Sequence, residues 1–396
     1  MIRHLIRLVW NRKRANILVL VEIFLSFMVL FAICSSGLYF YNNYSKPLGF
    51  SHEDVWVLQL RPPQNLMSPE TREEGVNLFQ QLLRQIRANG EVEHGAGAFV
   101  VPYGESHWMT SLGLNSRKLP VSYSPIGLDF EKVMELEMVE GRFWNETDLA
   151  LTVKPLVINV TLARELFGSE SAVGEVVEFN DTERKVIGVV QDYRHQGDLT
   201  PLKFFVMAPH ILSKPTSYLY DKVVMKMAPG VSTGFEEKLM DELEAMAPGW
   251  SFTVQTMERM RNDYFKKQLS VMAIFGLVAV FMLVMVAMGL VGVLWQNVTR
   301  RTSELGVRRA KGATRNRIYF QILGELMVIT TLAIFMGLVV AVQLPILGVT
   351  GSVGNGVLAS GFCLALVLIY LLTTVSGLYP SWLATRINPA EALHYE

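Results

Sequence analysis

Gly104-Glu105-Ser106-His107-Trp108 is the stretch of this chain that most looks like a nucleophile elbow, with Ser106 in the attacking position. A serine presented for attack needs a sharp strand-to-helix turn with glycines on both sides of it. Here tryptophan stands where the closing glycine belongs, and the flanks do not read as strand then helix, so acyl transfer is set aside. Asp129, Glu131, Glu135, Glu137 and Glu140 could hold a hard cation, but their spacing reads as a solvated helix face. The 7 histidines are scattered without zinc spacing, and no Gly-x-x-x-x-Gly-Lys loop is present to cradle nucleotide phosphates. The chain is therefore not expected to be an enzyme, and no cofactor or metal is expected on it.

The densest cluster of functional side chains is basic. Arg300, Arg301, Arg308, Arg309, Lys311, Arg315 and Arg317 face a single acid, Glu304, between two long apolar segments. Leu305 and Val307 can serve as apolar anchors of a short amphipathic helix seated in a partner's groove. Gly306 and Gly312 allow close backbone approach and a sharp return to the bilayer. The arginines fix register against acidic patches, or lie on anionic lipid headgroups.

Four apolar segments must position that loop: 16–41, 269–295, 318–347 and 357–379. The first covers roughly 39 Å as a helix, against a hydrocarbon core of about 30 Å. It exceeds a signal-peptide core and lacks a small-x-small cleavage site, so it reads as an uncleaved anchor. Five basic residues and no acid precede it in segment 1–15, and the loop 296–317 is equally one-sided, while 348–356 carries no charge. The positive-inside bias then puts both termini and 380–396 in the cytoplasm, and 42–268 outside. That outer segment holds 23 basic and 31 acidic residues, so the neutral whole averages two compartments. Glu22 and Glu325 lie near the cytoplasmic ends of their spans and read as interfacial anchors or ion-pair partners.

Cys34 and Cys363 both fall in apolar spans, so the outer domain has no disulfide framework and must rely on an apolar core. It reads as α+β. Strands are expected at 55–60, 98–101, 119–123, 156–160, 175–179, 184–190, 202–207, 222–227 and 251–255, with Asn180-Asp181 turning a hairpin. Helices are expected at 71–87, introduced by Ser68-Pro69, and at 130–138, 161–167 and 235–246. The polar stretch 257–268 flows into the second span without proline or glycine, so one helix of roughly 40 residues is expected there.

The order Glu304-Leu305-Gly306, then Arg308-Arg309, then Gly312-Ala313 resembles the coupling loop of MacB-like and FtsX-like ABC transporter permeases, and the likeness continues through Ile318, Gln321, Leu323 and Glu325. The segments Val157-Ile158-Asn159, Ala163 to Gly168, Val173-Gly174-Glu175 and Val186 to Tyr193 are similar to the periplasmic core domain of that family. So is the ending, where Pro380 would close the last helix and Pro389, Ala392, Leu393 and Glu396 form a tail under the membrane, with His394 at a position that is usually basic.

The resemblance implies a bacterial inner-membrane subunit with one plus three spans around a large periplasmic domain. It implies an ABC ATPase partner that binds the ATP and a second permease, as a homo- or heterodimer. It further implies mechanotransmission, in which hydrolysis moves the outer domain, for export or efflux. A periplasmic adaptor, an outer-membrane protein or a hydrolase would be further partners, and nothing points to nucleic acid. The alternative is a non-transporting regulator of a cell-wall hydrolase, or a sensor scaffold.

Overall fold

A computed structural model describes residues 13–63, 71–115, 117–212, 218–299, 307, 311–351 and 353–384. The chain begins with helix α1 (Lys13–Tyr44), then β1 (Val55–Arg61), α2 (Arg72–Ala88), β2 (Val92–Ala98), β3 (Trp108–Leu114) and β4 (Arg117–Ile126). Next come α3 (Phe130–Val133), β5 (Met138–Gly141), α4 (Glu146–Leu149), β6 (Lys154–Asn159), α5 (Val160–Phe167), β7 (Val176–Phe179), β8 (Thr182–Val190) and β9 (Phe205–Pro209). It finishes with β10 (Lys222–Met227), α6 (Thr233–Met246), β11 (Ser251–Thr256), α7 (Met257–Thr299), α8 (Arg315–Ile346) and α9 (Asn355–Ala384). Two compact units result, a helical one of 1–42 with 269–396 and a β-rich one of 43–268.

In the β-rich unit, β1-α2-β2 and β10-α6-β11 build one four-stranded antiparallel sheet in the order β11-β1-β10-β2. This is a ferredoxin-like βαββαβ unit, split by a long insertion between its second and third strands. Its helices cover one face, where the buried Val76, Phe79, Leu82 and Ile86 of α2 recur at helical spacing and the last three join Leu58, Leu60, Val223, Leu239 and Leu243 in one core. The insertion closes into a ring, β4-β3-β7-β8-β6-β9 and back to β4. Every strand of the ring gives a residue to its apolar filling: Leu112, Val121, Ile158, Val177, Val186 and Val206. The β7–β8 hairpin turns on Asn180 and Asp181, at φ 49° and 54°, the paired left-handed geometry that two-residue hairpins favour.

The helical unit packs Ile23, Phe27, Leu290, Leu326, Ala333 and Ile369 into a separate core. Among the described residues four helices, α1, α7, α8 and α9, are long and apolar enough to cross a membrane. Helices α1 and α9 meet at Gly361, where a Cβ would lie 2.8 Å from the Ser35 Cα, so only a small residue permits that crossing. Helix α7 is unbroken over its 43 residues, Gln268 included.

Several expectations change. The helix anticipated at 130–138 stops at Val133, because the chain turns through a left-handed Glu135 (φ 49°) so that β5 can pair with β8. The strand anticipated at 98–101 ends at Ala98, and Phe99 to Val101 form a buried loop. The one at 202–207 is shifted to Phe205–Pro209 by its register against β4. Ser68-Pro69 lies outside the described residues, and α2 follows Thr71 instead. Pro380 does not close the last helix, since α9 runs on to Ala384. A proline forfeits one helical hydrogen bond, which is tolerated where neighbouring helices enclose the freed carbonyl, and Pro380 sits among the buried Ser376 and Ser381.

Candidate coupling sites

Of the loop residues singled out, Glu304, Leu305, Gly306, Arg308 and Arg309 lie outside the described residues, as do Pro389, Ala392, Leu393 and Glu396 of the tail. Gly312 is described. Its φ of +94° makes a left-handed turn, and Thr314 then caps α8 by accepting from the Arg317 amide. The cap was not foreseen, although threonine ahead of an amphipathic segment is a recognisable start signal. Inside α8, Ile318 and Leu326 are buried, and the Gln321 amide donates to Glu325 Oε1 at 3.1 Å.

A second cluster, not anticipated from sequence, occupies the β-rich unit. The segment 191–200, following β8, ties the end of α1 to the beginning of α7. Arg194 is 2 % exposed. Its Nη1 donates to Asn43 O at 2.7 Å and Lys46 O at 3.2 Å, carbonyls at the end of α1. Its Nη2 donates to Asp198 O at 2.5 Å and also to Thr200 O. A guanidinium so placed satisfies carbonyls that a helix end leaves open and complements the helix dipole. Asn43 Nδ2 adds a bond to Leu199 O at 3.3 Å, and the Arg194 amide donates to Leu48 O at 3.0 Å.

Asp198 carries the connection onward to α7. Arg261 Nη2 reaches its Oδ1 at 2.6 Å, Tyr103 Oη donates to its Oδ2 at 2.8 Å, and the carboxylate is 4 % exposed. Burial alone would raise the Asp198 pKa, but the bonds from Arg261 and Tyr103 outweigh it and hold the group below the usual carboxylate range. The Arg261 guanidinium also lies over the Phe265 ring, which meets Tyr44 of α1 edge-on at 6.0 Å. One ten-residue bracket therefore holds both helices where they enter this unit.

His195, inside the bracket, is 3 % exposed and packs on Phe205 at 4.5 Å. Burial, then Lys203 and His107, push its pKa down to about 3. An unfolded chain takes up this proton near pH 6.5 and the folded one does not, so stability is lost as pH falls from about 6.5 towards 3. The expected loss at pH 5 is about 2 kcal/mol. Thermal melts of the full chain in detergent should show this slope for the wild type and a shallower one for His195→Phe; equal slopes would refute it.

Ser106 and His107 lie in the loop before β3, so the strand-turn-helix that exposes a nucleophile is absent. The acidic residues do not form one helix face: Asp129 pairs with Lys132 at 2.6 Å, and Glu135 with Lys226 at 2.7 Å. Among the described residues no group of three His, Cys, Asp or Glu could hold a metal ion.

Two sequence families match nearly end to end: the MacB-like periplasmic core domain over residues 17–245 and the FtsX-like permease C-terminal region over 276–389. The chain belongs to the MacB-like, FtsX-like ABC transporter permease family. It is 27% identical over 284 residues to a macrolide export ATP-binding/permease protein MacB of Bdellovibrio bacteriovorus, covering 67% of this chain and 43% of that protein. It is 24% identical over 274 residues to the ABC transporter permease YknZ of Bacillus subtilis, covering 67% of this chain and 68% of that one. The chain thus spans less than half of the length of the MacB relatives it matches. Among solved structures, the periplasmic region of MacB from Actinobacillus actinomycetemcomitans aligns with a TM-score of 0.40 at 16% identity, over 54% of this chain and 92% of that one. This permease is accordingly a transporter component with a periplasmic-type domain and, among the described residues, four helices long and apolar enough to cross a membrane.

Proposed function

We propose that this permease couples ATP hydrolysis on a separate ABC ATPase subunit to movement of its 43–268 unit, for export or efflux. Both termini and the loop 296–317 face the cytoplasm, the β-rich unit lies in the periplasm, and two permeases act as a homodimer or with a related chain. The observation that carries this reading is the bracket 191–200, which gathers the end of α1 and the beginning of α7 onto one short segment. A shift of either helix is then felt by the same segment, and α7 has no helical break between that segment and its far end at Thr299. The export direction is taken from the MacB relatives, which are macrolide export proteins by name. Glu304, Leu305, Gly306, Arg308, Arg309 and Gly312 are the residues proposed to meet the ATPase, with the tail from Pro380 to Glu396 beneath the membrane.

The test is purification of the tagged chain from its native membrane in mild detergent, with co-purifying chains identified and ATP hydrolysis assayed. An ATPase should co-purify and be lost from a Glu304→Ala/Arg309→Ala double variant. Gly306→Leu and Arg309→Ala single variants should insert normally yet lose most of the coupling between hydrolysis and movement. Full coupling in both, or no ATPase even after crosslinking, would overturn the reading, and a co-purifying cell-wall hydrolase would replace export with regulation.

A further inference from the structure

The four-stranded sheet has one open edge, and the structure shows which of its groups are free. Leu60 N donates to Asp221 O at 2.8 Å and Met227 N to Asp54 O at 2.8 Å, so the even-numbered residues of β1 turn their main chain towards β10. The odd-numbered ones, Val57, Gln59 and Arg61, must then face β11, where they stand opposite Gln255, Thr253 and Ser251. That leaves Phe252 and Val254 with both N–H and C=O directed outward and Thr256 with its N–H, the Thr256 carbonyl being taken up by the first turn of α7. Among the described residues β11 pairs only with β1, and no backbone group bonds to its outer side.

Edges of this kind are normally blunted by a lysine, a proline, a bulge or a covering segment. The strand Ser-Phe-Thr-Val-Gln-Thr has no charge and no proline, and its register against β1 is unbroken. Phe252 and Val254 turn their side chains to the core under α2 and α6, so the strand is firmly seated although its edge is open.

The other face of the same strands is equally specific. A cavity of about 740 Å³ lies within the β-rich unit on the side of Gln59 and Gln255, walled by the first turns of α7 and by the loop 103–107. Its charged lining is balanced in sign, Arg61, Lys222 and Lys267 against Glu105, Asp221 and Asp263, with Lys222 paired to Asp221 at 2.6 Å and Lys267 to Glu105 at 3.3 Å. Its glutamines, Gln59, Gln255 and Gln268 among them, offer both donors and acceptors. A charged side chain of either sign would meet as many like charges as opposite ones there, whereas an uncharged polar one would be matched by the glutamines.

We infer that β11 is a docking edge for an extended peptide segment of a partner protein, which adds as a fifth strand and places uncharged polar side chains, alternately along its length, in the Gln59–Gln255 cavity. Main-chain bonds to Phe252, Val254 and Thr256 supply affinity, and the cavity supplies selectivity. The inference stands on this edge and the cavity beside it, and does not depend on which ATPase serves the permease.

The probe is a phage-displayed library of random nonapeptides, selected on the full chain in lipid nanodiscs. Enriched peptides should be rich in Ser, Thr, Asn and Gln at alternate positions. They should slow hydrogen exchange at the amides of Phe252, Val254 and Thr256 while leaving Thr253 and Gln255, already paired to β1, unchanged. Val254→Pro removes one outward donor and leaves the β1 ladder intact, so it should weaken binding about tenfold, the scale of one lost hydrogen bond in an interface. Gln255→Lys should weaken binding through the cavity without touching the edge, and it keeps the test decisive if the proline variant melts early. No enrichment, or equal binding by both variants, would overturn the proposal. So would a disulfide joining two copies through Thr253→Cys in a Cys34→Ala/Cys363→Ala background, which would give the edge to a second copy of this chain.

Discussion

Replacing Arg194 by alanine should lower the thermal midpoint of the permease by on the order of 10 °C, the shift about 3–5 kcal/mol produces in a unit of this size. Four carbonyls converge on the guanidinium, at Asn43, Lys46, Asp198 and Thr200, and the bonds to Asn43 and Asp198 are buried, so those two carbonyls lose their partner where water does not replace it. Leaving buried acceptors unsatisfied costs more than the bonds themselves contribute, about 1–3 kcal/mol for each group. Arg194→Lys should recover only part of the loss, because an ammonium cannot span two pairs of carbonyls as a planar fork does. The measurement is a pair of melts in detergent, with exchange rates along 191–200. A midpoint unchanged in Arg194→Ala would mean that the bracket holds nothing together.

Gly49→Ala should destabilise the same junction by about 3–5 kcal/mol through backbone geometry alone. Gly49 has φ +75°, and a Cβ built on it would stand 2.0 Å from the Asp192 carbonyl oxygen. The neighbour is main chain, so no rotamer change relieves the overlap, and the chain at 192–194 must move away. That movement breaks the bond from the Arg194 amide to Leu48 O. The two substitutions should therefore be strongly non-additive, since each dismantles what the other needs. A double variant whose loss equals the sum of the two singles would show that Gly49 and Arg194 act independently.

What the sequence made legible was local. Asn180-Asp181 announces its hairpin because both residues tolerate the left-handed region, and the apolar spans announce themselves by length. Strand β3 went unread, since Trp-Met-Thr-Ser-Leu-Gly-Leu mixes small and polar residues that only the ring closure holds extended. The acids from Glu131 to Glu140 favoured a helix, and the long-range pairing of Met138 to Gly141 with β8 overrode that preference. Arg194 could not be picked out at all: one of its carbonyl partners, Asn43, is 151 residues away, and an arginine after Asp192-Tyr193 looks like any residue of a polar turn. The bracket exists only once the ring insertion has brought segment 191–200 back to the first helix.

The split sheet also sets a timetable for biosynthesis. Among the described residues β1 pairs only with β10 and β11, whose residues are made more than 160 positions after it. At about 5–20 residues per second the Val-Trp-Val-Leu-Gln-Leu strand waits on the order of 10–30 s with both edges bare. The inserted ring, whose strands all lie between Trp108 and Pro209, is complete before either partner strand emerges and can fold during that interval. The nascent chain is most vulnerable to aggregation between the synthesis of Arg61 and that of Lys222, so a factor that shields β1 during that window would raise yield without touching the finished protein.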